Sequence, residues 1–185
     1  MKQKTAAQHK LGTAPGSVTY TGTKKEDSIT ISGWIYDDKS VEPINIDLKQ
    51  LPVPQKGKKI WIQVEGLHDI ALIKKFGEHF KIHNLFLEDI CNIHRNTSMD
   101  FIDPFVGIHL RHLSLEDDVI SGLPLSVLAN DNIVISFTET QEHPDILTPI
   151  EERLLDATNP MRTKSTYYLQ YTMLDLVVDH YLLIL

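Results

Sequence analysis

The sequence predicts an α/β fold in which a mixed β-sheet is sandwiched between helices. Segments rich in β-branched and aromatic residues alternate with segments of helical apolar spacing, in the order strands, helices, strands, helices. This order favours a sheet covered by helices on its faces. The length of 185 residues and the hydrophobic content of 42% suit one domain with a sizeable core.

Four strands are predicted in the N-terminal part of the chain. Residues 17–21 and 29–36 are rich in β-branched and aromatic side chains, and a polar turn at 22–28 separates them. A weaker alternation predicts a third strand at 44–48. The clean alternation of residues 60–64 predicts a fourth.

A first helix is predicted over residues 69–80. Leu72, Phe76 and Phe80 fall four residues apart, which places them on one helical face. Asp69 precedes this stripe, and its negative charge favours a helix N-terminus. We therefore expect an amphipathic helix directly after the fourth strand.

A second helix, residues 85–93, carries two adjacent carboxylates on an otherwise apolar segment. Glu88 and Asp89 share its polar face, whereas Cys91 lies on the apolar face and is expected in the core. Adjacent carboxylates repel each other, so a chain that holds them together often offers them to a hard cation or a basic partner. A solvated face, or favourable charge in the first turn of a short helix, explains the same pattern.

The C-terminal half continues the alternation of strands and helices. A strand is predicted at 105–115, and a hairpin joins 125–128 to 133–137 through Asn130-Asp131-Asn132, whose residue types tolerate positive φ. A short helix is predicted at 145–156.

The last predicted helix, residues 165–185, is apolar nearly all round, and two acidic residues interrupt it. Tyr168, Thr172, Asp175 and Asp179 fall within about 40° of each other in projection. These residues form either a solvated stripe or an oligomer interface that needs a cation. Because the chain ends within this helix on apolar residues, we expect it to be a fragment of a longer protein.

Composition excludes several classes of function. With 25 acidic against 18 basic residues and a net charge of -7, nucleic acid and anionic membrane surfaces are poor ligands. The single cysteine excludes an internal disulfide and a cysteine-rich zinc site, and is compatible with a reducing cytoplasm. No apolar run approaches the ~20 residues that cross a bilayer, so a soluble chain is expected.

The usual catalytic motifs are missing from the sequence, and we expect a protein that is not an enzyme. It has no Gly-rich phosphate loop, no Gly-x-Ser-x-Gly elbow and no His-Glu-x-x-His pair. His79 and His83 are spaced for a shared zinc ion, but a capping or surface role is simpler. His109 and His112 lie three apart on a predicted strand, so they point to opposite faces and cannot share an ion.

Several motifs, in order, resemble one family. They are Gly-Leu-His-Asp at 66–69, Gly-Glu-His-Phe at 77–80, Leu-Phe-Leu-Glu-Asp-Ile at 85–90 and Leu-Asp-Leu-Val-Val-Asp-His-Tyr at 174–181. With Pro15-Gly16, Tyr20-Thr21-Gly22 and the 126–137 hairpin, they resemble the N-terminal cytoplasmic domain of CorA-type magnesium/cobalt transporters. The resemblance runs from about Gly12 to Leu185, and several motifs in one order are more specific than any one of them.

The resemblance implies a homopentameric transporter for Mg²⁺ that also passes Co²⁺ and Ni²⁺. It places the full-length protein in the cell inner or plasma membrane, with this domain on the cytoplasmic side and the membrane helices beyond Leu185. The implied division of the chain is a flexible arm at 1–16, an α/β regulatory domain at 17–164 and the start of the helix towards the stalk at 165–185. The same architecture also occurs in zinc transporters.

The resemblance also implies a regulatory metal site. In the family, cytosolic Mg²⁺ binds between neighbouring protomers and holds the pore closed, and matching motifs places Glu88, Asp89 and Asp175 at those positions. One departure is His94-Arg95-Asn96-Thr97, where the family usually carries a Gln-Arg-Pro-Lys-like segment, so that only Arg95 is retained. From another class of function, a soluble acidic α/β module that binds a basic protein partner remains an alternative.

Overall fold

The described residues form a seven-stranded mixed sheet with helices on both faces, which confirms the predicted α/β class. The computed structural model describes residues 14–22, 29–44, 46–47, 51–116, 119–139 and 146–184. The strands are β1 Thr30–Tyr36, β2 Val41–Pro43, β3 Lys59–Glu65, β4 Ser98–Ile102, β5 Phe105–Glu116, β6 Val119–Ala129 and β7 Ile133–Thr138. The helices are α1 Ile70–Phe80, α2 Asn84–Ile90, α3 Thr148–Leu155 and α4 Thr166–Ile184, and a 3-10 turn spans Pro160–Thr163.

The strand order is β2-β1-β3-β7-β6-β5-β4, which places β3 and β7 at the centre. These two strands pair in parallel, with Ile60 opposite Ile133, and every other pair is antiparallel. Residues 60–64 and 133–137 are all buried. Strands covered on both faces need apolar residues at nearly every position, which these two runs supply.

Alternate residues of the central strands face two separate cores. Ile60 and Ile62 pack with α1 and α2 on one face of the sheet. Trp61 and Val134 pack with α3 and α4 on the other face. Because successive side chains of a strand point to opposite faces, the two helical layers share the sheet without touching the same residues.

Helix α1 begins where the sequence predicts it, and its ends are capped. The Asp69 side chain accepts a hydrogen bond from Leu72 N at 3.0 Å, which satisfies one of the unpaired amides of the first turn. Lys81 ends the helix in the left-handed conformation, with φ of 58°. His79 lies on the surface with Nε2 3.2 Å from Pro52 O.

Helix α2 begins at Asn84 and ends at Ile90, three residues before the predicted end at 93. His83 caps it, because its Nδ1 accepts a hydrogen bond from Leu85 N at 3.2 Å. The capping and surface interpretation of His79 and His83 is therefore confirmed. Cys91, directly after the helix, is buried as predicted.

One predicted strand is wrong, and a second lies partly outside the described residues. Residues 17–21 do not join the sheet; instead Thr21 N donates to Cys91 O at 3.1 Å, so this segment is held against the end of α2. Residues 45 and 48 of the strand predicted at 44–48 lie outside the described residues, and the short strand β2 ends just before it, at Val41–Pro43. The predicted turn at 22–28 and arm at 1–16 also lie largely outside them.

Strand β4 was not predicted, because two of its three inward side chains are polar. The partly buried positions of the strand include Ser98 and Asp100, whereas Met99 and Phe101 are exposed. Met99 and Phe101 therefore lie on outward positions, whereas Ile102 packs against the core. This alternation does not indicate a strand that borders the core.

The predicted hairpin between β6 and β7 around Asn130-Asp131-Asn132 is confirmed. Asn130 Oδ1 accepts hydrogen bonds from Asn132 N and Ile133 N at 3.0 and 3.1 Å, an arrangement typical of an Asx turn. Among the described residues, the non-glycine residue with positive φ is Lys81, so the turn at 130–132 does not use the positive φ that its residue types tolerate.

The two C-terminal helices are also close to the prediction. Helix α3 begins at Thr148, and Asp145, the predicted start, lies outside the described residues. Helix α4 covers Thr166–Ile184, as predicted within one residue at each end. In the part of the chain that the structure covers, no helix is both long and apolar enough to cross a bilayer.

Candidate metal centre

A glycine lets α2 lie close to the sheet. A Cβ atom built at Gly107 on β5 would stand 2.3 Å from Cε1 of Phe86 on α2, far inside van der Waals contact. Without that side chain, the Phe86 ring packs over β5, with its centroid 6.4 Å from that of His109. The close approach brings the polar side of α2 to the edge of the sheet where β4 and β5 lie.

Glu88 is bound to the N-terminal segment of the same chain. Its Oε2 accepts a hydrogen bond from Gly16 N at 2.7 Å, and Gly16 has a positive φ of 81° that favours glycine. A hydrogen bond from a backbone amide to a carboxylate is among the stronger kinds. The side chain of Glu88 is thus oriented by the turn at Pro15-Gly16.

Asp89 forms an ion pair with Arg95, which follows α2 in the connection to β4. The same guanidinium binds Asp100 on β4, with Nη2 2.8 Å from Oδ2. Arg95 Nε also donates to Ser98 Oγ at 3.2 Å, and Ser98 Oγ donates to Asp100 Oδ2 at 3.1 Å. Two carboxylates therefore share one guanidinium, which leaves an excess of one negative charge.

His109 lies beneath this network and is only 3% exposed. Its Nδ1 is 2.9 Å from Ser126 Oγ, whereas Nε2 is buried and has no hydrogen-bond partner among the described residues. Burial lowers the pKa of His109 to about 4, and the neighbouring Arg95 acts in the same direction. The imidazole is therefore neutral at neutral pH, the form in which histidine binds metals.

These side chains converge. One ligand atom from each of Asp89, Asp100 and His109 lies within 4.8 Å of the others, and among the described residues this is the one cluster of its kind. Asp89 was predicted from the sequence as a metal ligand, whereas Asp100 and His109 were not. The signal that could have found them is the pairing of β4 with β5, in which Ser98 lies opposite His109.

Asp175 lies elsewhere. It is exposed on α4, where Tyr171 Oη donates to its Oδ1 at 3.4 Å. Helix α4 covers the opposite face of the sheet from α2. The structure therefore does not bring Asp175 together with Glu88 and Asp89 within one chain. All three side chains carry carboxylate oxygens, which are the ligands that Mg²⁺ prefers.

The two histidines of β5 are separated as predicted. His109 faces α2, whereas the ring of His112 packs edge-on against His180 of α4, with centroids 4.9 Å apart. They lie on opposite faces of the sheet, which confirms that they cannot bind one ion together.

The sequence is similar to that of the Cobalt/magnesium transport protein CorA of Thermotoga maritima, with 28% identity over 180 residues. The match covers 95% of this chain and 50% of that protein, so the chain spans about half the length of this curated relative. No family model matches the chain.

The fold is similar to that of two solved domains. The soluble domain of CorA from Methanocaldococcus jannaschii matches with a TM-score of 0.60 and 12% identity, over 84% of this chain and 58% of that chain. The ZntB cytoplasmic domain from Vibrio parahaemolyticus matches with a TM-score of 0.58 and 17% identity, over 82% and 59%. In sequence and in fold, the chain thus resembles a CorA-type cytoplasmic domain, which confirms the recognition based on its ordered motifs.

Proposed function

We propose that this chain is the cytoplasmic, cation-sensing part of a CorA-type divalent cation transporter. The observation that carries the proposal is the match over 95% of the chain to a protein named for cobalt and magnesium transport. The full-length protein would be a homopentamer in the cell inner or plasma membrane, with this domain on the cytoplasmic side. Its role would be to gate uptake rather than to catalyse a reaction.

Mg²⁺ bound between neighbouring copies would hold the pore closed. Glu88 and Asp89 lie on one side of the domain and Asp175 lies exposed on the other, so a second copy is needed to bring them together. Mg²⁺ prefers oxygen ligands and keeps several waters, so a few carboxylates from two subunits suffice to hold it through its hydration shell. When Mg²⁺ falls, the facing carboxylates repel each other and the interface loosens.

The contacts within the chain support an outer-sphere arrangement. Glu88 already accepts a hydrogen bond from Gly16 N, and Asp89 is paired with Arg95. Carboxylates oriented in this way keep their positions at the interface while hydrated Mg²⁺ exchanges. Weak, reversible binding of this type suits a sensor of cytosolic Mg²⁺.

The test uses the full-length transporter. Millimolar Mg²⁺ is expected to raise the melting temperature of the assembly, because the ion binds the assembled form. The double variant Asp89→Ala with Asp175→Ala is expected to abolish this rise. Asp179→Ala, which removes another exposed acid one turn further along α4, is the matched control and should respond like the unchanged protein. An undiminished Mg²⁺ response in the double variant would contradict the site.

Zinc transport is the second candidate function, because the fold also resembles the ZntB cytoplasmic domain. Flux of Mg²⁺, Co²⁺ and Zn²⁺ through the full-length protein separates the two. The remaining alternative, a soluble acidic module that binds a basic protein, is tested by the reading frame beyond Leu185. We expect two apolar segments of about 20 residues there, with Gly-Met-Asn after the first, and a stop codon at that point would exclude the transporter.

A further inference from the structure

We propose that Asp89, Asp100 and Nε2 of His109 form a site for a first-row transition cation such as Zn²⁺ or Co²⁺, and that the Arg95 guanidinium competes with the cation for it. All three ligands belong to one chain, so the site does not depend on the proposed contact between subunits. Asp89 belongs both to this site and to the proposed contact between subunits, so cation binding at the site would be linked to that contact.

The geometry supports a three-ligand site. One ligand atom from each of the three residues lies within 4.8 Å of the others, whereas ligands around a tetrahedral zinc ion are about 3.3–3.5 Å apart, given metal–ligand distances near 2.0–2.1 Å. Rotation of the two aspartate side chains closes a gap of this size. The backbones that carry the ligands are fixed by α2 and by the β4–β5 ladder.

His109 supplies the observation that points to a ligand. Its Nε2 is buried with no hydrogen-bond partner among the described residues, an arrangement that is costly unless something binds the nitrogen. Nδ1 is held 2.9 Å from Ser126 Oγ, directly opposite in the β5–β6 ladder. When Nδ1–H donates to Ser126, Nε2 carries the lone pair, which is how a metal-binding histidine is usually oriented.

The donor set selects the type of cation. Imidazole suits Zn²⁺, Co²⁺ and Ni²⁺, whereas Mg²⁺ takes oxygen ligands almost exclusively. A neutral imidazole and two carboxylates carry two negative charges, of which Arg95 neutralises one. A divalent cation neutralises both, so the exchange is electrostatically favourable.

Arg95 is placed to leave the site. Its side chain is 26% exposed, compared with 16% for Asp89. The guanidinium stays protonated at any physiological pH, so it opposes a cation bound to the same carboxylates. Its long side chain can turn towards solvent while the backbone amide of Arg95 keeps its hydrogen bond to Asn92 O.

The experiment is a titration of the 185-residue chain with Co²⁺, followed by its visible absorption. We expect saturation at one equivalent. His109→Gln and Asp100→Asn should each weaken binding by about tenfold or more. His94→Gln, which removes an exposed histidine beside Arg95, is the matched control and should leave the titration unchanged.

Arg95→Ala separates competition from a purely structural role. Removal of the competing charge should tighten Co²⁺ binding by about tenfold, whereas a merely structural arginine would give no gain. Asp100→Asn, on the exposed edge strand β4, keeps the test decisive if His109→Gln fails to fold. No saturable binding, binding that survives both ligand variants, or weaker binding in Arg95→Ala would each overturn the proposal.

The outcome is distinguishable from that of the proposed regulatory function. Asp175→Ala should leave Co²⁺ binding intact in this chain, because α4 supplies no ligand to the site. In the full-length protein the same substitution tests the Mg²⁺ response. Failure of one test therefore leaves the other unaffected.

Discussion

The acidic residues on the two faces of the sheet differ in burial and in the contacts that they make. On the α2 face, Glu88 and Asp89 are partly buried and bound by groups of the same chain. On the α4 face, Asp175 and Asp179 are exposed. The same helix also exposes Tyr171, Val178, Leu182 and Leu183.

The difference indicates how each of the two surfaces would contribute to a contact between subunits. The α2 carboxylates are oriented before any partner arrives, because the chain supplies their hydrogen bonds. The α4 surface mixes acids with large apolar side chains, a combination suited to burial against another protein surface. In the proposed contact, the carboxylates of α2 would be preorganised, whereas the exposed side chains of α4 would become ordered on association.

The largest expected effect is on the rate at which a buried cysteine of the α2 face reacts with an alkylating reagent. Cys91 is buried, and burial raises its pKa to about 12, with Glu139 adding to the effect. At pH 8 the reactive thiolate should then be about a thousandfold scarcer than for a free thiol with its pKa near 8.5. We expect alkylation of the folded chain by iodoacetamide to be slower by at least that factor than alkylation in urea.

In the control, a cysteine replaces an exposed residue in the connection between α2 and β4. Thr97 is exposed, so Thr97→Cys combined with Cys91→Ala should react rapidly in the folded state. Equal alkylation rates for Cys91 in the unchanged chain and for the cysteine of the Thr97→Cys variant would show that the α2 face opens readily. The contrast between the two faces would then be lost.

The next largest effect is on the free energy of unfolding. Phe86 of α2 is fully buried against Gly107 of β5, so Phe86→Ala should destabilise the chain by about 3–5 kcal/mol. Phe101, which is 72% exposed on β4, is the matched control, and Phe101→Ala should change stability by at most about 0.5 kcal/mol. Urea denaturation measures both, and a comparable small loss in the two variants would refute the proposed anchoring of α2.

The smallest effect compares the acids of the two faces directly. Arg95→Ala leaves Asp89 and Asp100 without their shared counter-ion, and partial exposure limits the expected loss of stability to roughly 1 kcal/mol. Asp175→Ala should give no measurable change in the free energy of unfolding of this chain. Denaturation at low and high salt measures both, because salt should shrink the Arg95 effect. A larger loss from Asp175→Ala would reverse the comparison.

Much of the fold was predictable because its signals are local. Apolar runs and helical spacing identified β3, β5, β7, α1 and α4 to within one or two residues at most ends. The segment at 17–21 has strand-like residues but pairs with the end of α2, since its amide and hydroxyl groups find partners there. Local propensity cannot reveal such a distant partner.

The candidate metal centre was only partly predictable for a related reason. The motif around Glu88 and Asp89 identified the acids on α2. Asp100 and His109 join Asp89 through the pairing of β4 with β5, and β4 was missed because polar side chains occupy two of its three inward positions. One of those polar side chains is Asp100, so a residue that completes the cluster also makes the strand hard to recognise in the sequence.

The parallel pairing of β3 with β7 also bears on the order of folding. It joins two antiparallel parts of the sheet, β2-β1-β3 and β7-β6-β5-β4, each built from one continuous stretch of the chain. Ser136 of β7 donates to Ile62 O across the seam between them, and these residues are 74 positions apart. Closing so long a loop costs chain entropy that pairing within either part does not require. Each part can therefore form its local contacts early, while the pairing of the two central strands, the most deeply buried part of the native sheet, must wait for both.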